Sequence, residues 1–142
     1  MDTDTSDFKI AACLAVASEM EIVHARREGR NLAEQMDFSA SDSLLVATAI
    51  SELARNILHY AGNGEILLGR VEDEGKNRHG IAVIARDRGP GIPESPLAMH
   101  QSLARAANPG LGLPGIKQIM DEFEIDSRLG DGTTVTAVKW RQ

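Results

Sequence analysis

The chain has 142 residues, 42% of them apolar, and a formal net charge of −6 at pH 7. This length fits one domain, residues 1–142, because single domains commonly contain about 100 to 150 residues. The acidic balance and the lack of any Lys/Arg run argue against nucleic acid as a partner.

The beginning of the chain, residues 1–7, is acidic and lacks the positive segment and apolar stretch of a signal peptide. No segment approaches the roughly 20 apolar residues of a membrane-spanning helix. We therefore expect a cytoplasmic protein without a membrane partner. Cys13 is the only cysteine, so no disulfide can form within the chain, and its apolar neighbours predict a small buried side chain.

The first half of the chain predicts a strand followed by two helices. Residues 8–17 are apolar and compact, and the capping box that begins at Ser18 predicts a helix over residues 19–36. A second start signal follows at Ser39. The helical pattern after it runs from Val46 to Tyr60 and stops at Gly62, so it predicts the second helix.

The second half predicts two hairpins and a third helix. Residues 65–71 and 80–86 are predicted as the two strands of a hairpin, a long proline-punctuated segment follows, and Pro114 suits the first turn of a helix ending near Glu122. Residues 123–128 and 133–140 then form the closing hairpin. The order predicts an α+β fold, a two-layer sandwich in which the helices cover one face of a mixed or antiparallel sheet.

A polar stripe on the second helix is the first candidate for chemistry. Glu52 and Asn56 are one turn apart, so their Cβ atoms lie about 5 to 6 Å from each other on one face. The amide oxygen of Asn56 is a hard ligand suited to Mg²⁺, and the Glu52 carboxylate can accept a hydroxyl proton. In isolation such a pair is more often an ordinary exposed helix face.

Two glycine-containing segments are the next candidates. Asp87 ends a strand and is followed by Gly89 and Gly91, an arrangement that lets a flat ring approach the backbone while the acid accepts from an exocyclic amine. Residues 108–116 open a helix with three glycines, and free N–H groups there would form an anion site. The simpler interpretations are a proline-glycine turn and a flexible joint.

Taken in order, these segments resemble the motifs of the GHKL ATPases, the superfamily with the Bergerat fold. The N box is matched by Glu52-x-x-x-Asn56, the G1 box by Asp87-x-Gly89-x-Gly91, the G2 box by Gly110-Leu-Gly112-Leu, and the last nucleotide-contacting strand by Gly132-Thr-Thr134. Further words, including Ser51-Glu-Leu-Ala-Arg-Asn-Ile57 and Met120-Asp-Glu-Phe123, look like the anti-sigma-factor-type serine/threonine kinases, especially the RsbT-type switch kinases of the stressosome.

The resemblance implies ATP and Mg²⁺ as cofactors and assigns most of the site. Glu52 would be the general base, Asn56 the Mg²⁺ ligand, and Asp87 the acceptor for the adenine amino group. The glycines would line the base and the phosphates, and either threonine of the last strand would support the adenine side. The other nucleotide-binding residues implied are Gly89, Gly91, Ile92, Gly110, Leu111, Gly112, Thr133 and Thr134.

The resemblance also implies a substrate, a serine or threonine on a STAS-domain scaffold or antagonist protein, and a PP2C-type phosphatase as a further partner. Residues 99–109 depart from the Gly/Ser/Thr-rich lid of the family. Two alternatives therefore stay open beside the kinase. One is an anti-sigma factor of the same fold, and the other is a nucleotide-binding switch that does not transfer phosphate.

Overall fold

The computed structural model describes residues 8–89, 112–128 and 130–141. Five strands and three α-helices follow one another in this part of the chain. In chain order they are β1 Lys9–Val16, α1 Glu19–Gln35, α2 Ala40–Ala61, β2 Gly64–Asp73, β3 Arg78–Asp87, α3 Gly112–Ile119, β4 Glu122–Arg128 and β5 Gly132–Trp140.

All strand pairs are antiparallel, and the sheet has the order β1-β2-β3-β5-β4. The hairpin of β2 and β3 is closed by a 3₁₀ turn, Glu74–Lys76, and by Asn77 in the left-handed conformation. The three helices and the antiparallel sheet confirm the predicted α+β fold class, and of the two predicted kinds of sheet, mixed or antiparallel, the structure has the antiparallel one.

The helix starts form where the sequence places them, because a serine side chain accepts an otherwise unpaired N–H at each. Ser18 caps α1 by accepting from the Glu21 N–H, and Ser39 caps α2 by accepting from the Asp42 N–H. Gly62 ends α2 with a φ of 82°, a conformation that glycine adopts without strain.

The main core lies between the helices and one face of the sheet. It contains the predicted α2 stripe of Val46, Ile50, Leu53 and Ile57, together with alternate residues of the strands. This packing explains why a glycine, Gly29, occurs in the middle of α1, since a Cβ on it would lie 2.0 Å from Cδ1 of Ile50. The two helices can therefore pack at close range only because this side chain is missing.

Two expectations are corrected. Cys13 is exposed rather than buried, because β1 alternates and this residue lies on the sheet face away from the helices. The third helix ends at Ile119 rather than near Glu122, because Asp121 already pairs with β5: its N–H donates to the Val138 carbonyl at 2.8 Å. Within the described residues, no helix is long and apolar enough to cross a membrane.

Candidate nucleotide-binding site

A pocket between α2, α3 and the sheet brings together three of the predicted site residues. Asn56 enters from α2, Asp87 from the end of β3, and Thr133 from β5. Asp87 and Thr133 are register partners in the sheet, so the sheet itself fixes their spacing. The remaining lining is formed by Leu53, Ile57, Tyr60, Ala85, Leu113 and Val135.

Two polar atoms in this pocket are buried without a hydrogen-bond partner in the described part of the chain. They are the amide nitrogen of Asn56 and the hydroxyl of Tyr60. A buried polar group left unpaired costs about 1 to 3 kcal/mol. A bound group that pairs with both atoms would remove this cost.

The Asp87 carboxylate is oriented by its own loop. The N–H of Gly89 donates to Asp87 Oδ1 at 2.9 Å, which holds the side chain in one rotamer. The second carboxylate oxygen remains as an acceptor for an exocyclic amine. Gly89 therefore acts on Asp87 through its backbone, in addition to the role that the resemblance gives it beside the base.

Gly132 allows the last strand to approach Asp87. Its φ is 91°, and a Cβ on it would lie 2.1 Å from the Asp87 carbonyl oxygen. Any side chain here would meet both strain and a backbone clash. This close contact is why a glycine precedes the threonines at the start of β5.

The two threonines lie on opposite faces of β5. Thr133 faces the pocket, is buried, and shares a hydrogen bond of 2.9 Å with the Ser127 hydroxyl. Thr134 faces the other side of the sheet and lines a separate groove with Cys13, Glu65 and Arg86. Of the two alternatives for the adenine side, the structure brings only Thr133 into the pocket.

Glu52 lies one helical turn before Asn56, as expected from its spacing. Its side chain is 13% exposed, and its Oε1 accepts from Arg55 Nη1 at 3.3 Å. The ion pair occupies one carboxylate oxygen, so the other can accept a proton. Glu52 is near the pocket but is not among the residues that line it.

The rest of the predicted set falls largely outside the described residues. Gly91, Ile92, Gly110 and Leu111 belong to the undescribed segment, and Gly112 is described only as the first residue of α3. Among the described residues, no group of three or more His, Cys, Asp and Glu side chains could hold a metal ion.

Tyr60 is the functional candidate that the sequence interpretation missed. The apolar spacing of α2 places Tyr60 on the core stripe of the helix. Tyr60 also follows Asn56 by one turn, and this spacing could have identified it as a candidate site residue. Burial raises the pKa of the Tyr60 phenol above its usual value, so the hydroxyl stays protonated at neutral pH and can donate. Its ring also meets the His59 ring edge-on, with centroids 4.7 Å apart.

The groove on the opposite face of the sheet contains a polar cluster of its own. The Cys13 thiol donates to Glu65 at 3.2 Å, and Arg86 Nε donates to the same carboxylate at 3.0 Å. The hydrogen bond to Glu65 raises the pKa of Cys13. The same bond, followed by those from Arg86, lowers the pKa of Glu65.

Two solved structures share the fold. One is the SiaB–SiaC complex from Pseudomonas aeruginosa, with a TM-score of 0.57, 14% identity, and coverage of 96% of this chain and 92% of that chain. The other contains the RsbU and RsbW domains of Rv1364c from Mycobacterium tuberculosis, with a TM-score of 0.58 and 22% identity. That match covers 93% of this chain but only 34% of the longer one.

Sequence relatives identify the family. The chain is 45% identical over 129 residues to the serine/threonine-protein kinase RsbT of Bacillus subtilis, covering 91% of this chain and 96% of that protein. It is 32% identical over 138 residues to the anti-sigma F factor of Clostridium beijerinckii, covering 94% and 95%. The first relationship confirms the predicted enzyme class, a serine/threonine protein kinase that binds ATP. The model of the histidine kinase-like ATPase domain matches residues 16–139, and the chain belongs to this family.

Proposed function

We propose that the chain is a Mg²⁺-ATP-dependent kinase that phosphorylates a serine or threonine on a STAS-domain protein in a bacterial stress-signalling partner switch. It acts as a single domain over residues 1–142, in the cytoplasm, where ATP is available. The observation that carries the proposal is the pocket that joins Asn56, Asp87 and Thr133. The 45% identity to a serine/threonine-protein kinase supports the reaction type.

The pocket suits the adenine end of the nucleotide. Its lining is apolar except for a few placed polar groups, the usual composition of a small-molecule site. The free oxygen of Asp87 would accept from the adenine amino group, and Thr133 would support that side of the ring. Gly89, Gly91 and Ile92 complete this part of the proposed site.

The phosphates would lie toward α3. In the first turn of this helix the N–H groups of Gly112 and Leu113 have no acceptor within the helix, and the positive end of the helix dipole lies there. Gly110, Leu111 and Gly112 are the proposed phosphate contacts. Leu113, the next residue, lines the pocket beside Asn56 and Tyr60, which ties the beginning of α3 to the nucleotide cavity.

Asn56 fits a Mg²⁺ site with one protein ligand. Its amide nitrogen is buried without a partner among the described residues and could donate to a phosphate oxygen, while the oxygen of the same amide is a hard ligand of the kind that Mg²⁺ prefers. Mg²⁺ usually takes one or two protein ligands and completes its shell with phosphate and water, which agrees with the lack of a carboxylate cluster in the described chain. When bound, the ion neutralises phosphate charge.

Glu52 is the proposed general base. Its second carboxylate oxygen would accept the proton of the substrate hydroxyl as the hydroxyl oxygen attacks the γ-phosphorus, while the bond from that phosphorus to the bridging oxygen breaks and ADP leaves. Arg55 holds the other oxygen, so the carboxylate is restricted to few orientations. This arrangement assigns nucleotide binding and proton transfer to successive turns of one helix.

Transfer to a partner is the direct test of the kinase. Purified chain, Mg²⁺ and ATP are incubated with a STAS-domain protein, and the partner is examined by mass spectrometry for phosphoserine and phosphothreonine. We expect acid-stable phosphate on the partner, lost with Glu52→Gln. Bound nucleotide without any transfer would instead support the switch module that holds ATP without catalysis. The PP2C-type phosphatase is a second proposed partner, testable by the same mixture with phosphatase added.

The 32% identity to an anti-sigma F factor favours one alternative function. An anti-sigma factor of this fold would act by sequestering a sigma subunit. Capture experiments with the purified chain discriminate the two, because the kinase should retain STAS-domain proteins and the anti-sigma factor should retain a sigma subunit.

A further inference from the structure

The C-terminal end of α3 is held to the sheet by a set of contacts that the kinase mechanism does not use. Lys139 of β5 donates from Nζ to the carbonyl oxygen of Ile119, the last residue of the helix, at 3.0 Å. The same ammonium lies 3.7 Å from Asp121 Oδ1. Lys139 is only 11% exposed, and Asp121 is 32% exposed, so this pair is partly shielded from solvent.

Asp121 completes the attachment. Its backbone N–H donates to the Val138 carbonyl at 2.8 Å, and its Oδ2 accepts the N–H of Trp140 at 2.7 Å. Every one of these contacts joins the residues that end α3 to β5. We call this set, formed by Ile119, Asp121, Val138, Lys139 and Trp140, the α3 latch.

The latch fixes α3 along its axis. The buried residues Leu113, Ile116 and Met120 hold the helix against the core through apolar contacts, which are not directional. The hydrogen bonds at the far end are directional, and the positive charge of Lys139 complements the negative end of the helix dipole. The latch therefore adds directional restraint at the C-terminal end of α3.

Restraint at one end of α3 reaches the other end. The helix has eight residues, about 12 Å at 1.5 Å per residue, and a helix of this length behaves as a rigid rod. Its first residue, Gly112, belongs to the proposed phosphate site. A shift of about 1 Å at a positioned group is enough to weaken a binding or catalytic interaction.

We propose that Lys139 is a positioning residue for the phosphates of ATP, acting through α3 from the opposite end of the helix. The proposal rests on the proposed function, because it requires phosphate contacts at the beginning of α3. It assigns to the latch a selective effect, because the phosphates would contact the beginning of α3, whereas most of the adenine pocket is formed by α2, β3 and β5 and only Leu113 of its described lining comes from α3.

The test compares two ligands with the full chain. The affinities of ATP with Mg²⁺ and of adenosine are measured by displacement of a fluorescent nucleotide for the wild type and Lys139→Met. We expect Lys139→Met to lower the affinity for ATP by about fivefold or more and the affinity for adenosine by less than about twofold. Lys117→Met is the matched control, because Lys117 is exposed on the same helix and its loss removes the same charge near the same end.

Rescue separates positioning from general stability. Lys139→Arg keeps the cation and should restore the ratio of the two affinities, and Asp121→Asn should shift the ratio in the same direction as Lys139→Met but less. If thermal unfolding shows that Lys139→Met is not folded, the test is made with Lys139→Arg and Asp121→Asn. If Lys139→Met leaves the ratio of the ATP and adenosine affinities unchanged, whether both affinities fall equally or neither falls, the latch proposal alone is overturned. A wild type that does not bind ATP more tightly than adenosine would overturn the proposed function and the latch together.

Discussion

Replacing Asn56 by alanine should separate nucleotide binding from stability. The Asn56 amide nitrogen is buried without a partner in the described chain, and a buried donor without a partner costs about 1 to 3 kcal/mol. Asn56→Ala removes that cost and loses some packing in the pocket. We therefore expect the free energy of unfolding to change by less than about 1 kcal/mol.

The loss should appear in Mg²⁺-ATP affinity instead. Removing the proposed metal ligand should weaken binding by about ten- to a hundredfold, or roughly 1.4 to 2.8 kcal/mol. The dependence on metal is the sharper readout. In the wild type, a chelator should weaken ATP binding strongly, whereas in Asn56→Ala the chelator should have little further effect, because the ion is no longer held by the protein.

Titration calorimetry with and without Mg²⁺, together with urea unfolding of the nucleotide-free protein, measures both quantities. Asn31→Ala is the control, since Asn31 is an exposed residue of α1 that loses the same amide away from the pocket. A variant that unfolds more easily by about 2 kcal/mol, yet keeps both its ATP affinity and its metal dependence, would refute the interpretation of Asn56.

Three further outcomes are expected. Tyr60→Phe should leave stability unchanged or slightly higher, because it deletes a buried hydroxyl that has no partner in the described chain, and should lower the affinity for ATP about three- to tenfold in the same calorimetric titration, because it removes a donor from the pocket. Glu52→Gln should keep ATP affinity within about twofold and lower single-turnover phosphoryl transfer by about a hundredfold or more; equal loss of both would contradict a role as base. Cys13 has a raised pKa, so its thiolate forms only at higher pH than for a free thiol. Glu65→Ala removes the cause and should move the midpoint of the pH profile for iodoacetamide alkylation downward; an unchanged midpoint would contradict that cause.

The elements of this fold are predictable where the signal is local. Ser18 and Ser39 mark the starts of two helices, because each side chain accepts a hydrogen bond from the N–H three residues later. Gly62 ends the second helix because its φ is positive. Such features depend on neighbouring residues alone.

Features that depend on distant pairing were not predictable in the same way. Cys13 sits in an apolar run, and a run of this kind does not tell which sheet face will be covered. The early end of α3 depends on the pairing of Asp121 with β5, which follows it in sequence. The choice between Thr133 and Thr134 depends on the register of β5 against β3, because a shift of one residue exchanges the two faces.

The candidate site divides along the same line. Glu52 and Asn56 could be paired from helical spacing, and Asp87 from its position at a strand end. Tyr60 was assigned to the core because a helical stripe does not distinguish a core side chain from one that borders a pocket. Only the packing of α3 against α2 shows that a cavity remains beside it.

A structure of the chain with Mg²⁺ and a non-hydrolysable ATP analogue tests the central claim most directly. The account predicts the adenine amino group within hydrogen-bond distance of the Asp87 carboxylate, the metal at the Asn56 amide oxygen, and the phosphates at the beginning of α3. Nucleotide bound elsewhere, for example in the groove beside Glu65 and Arg86, with the pocket around Asn56 empty, would contradict it.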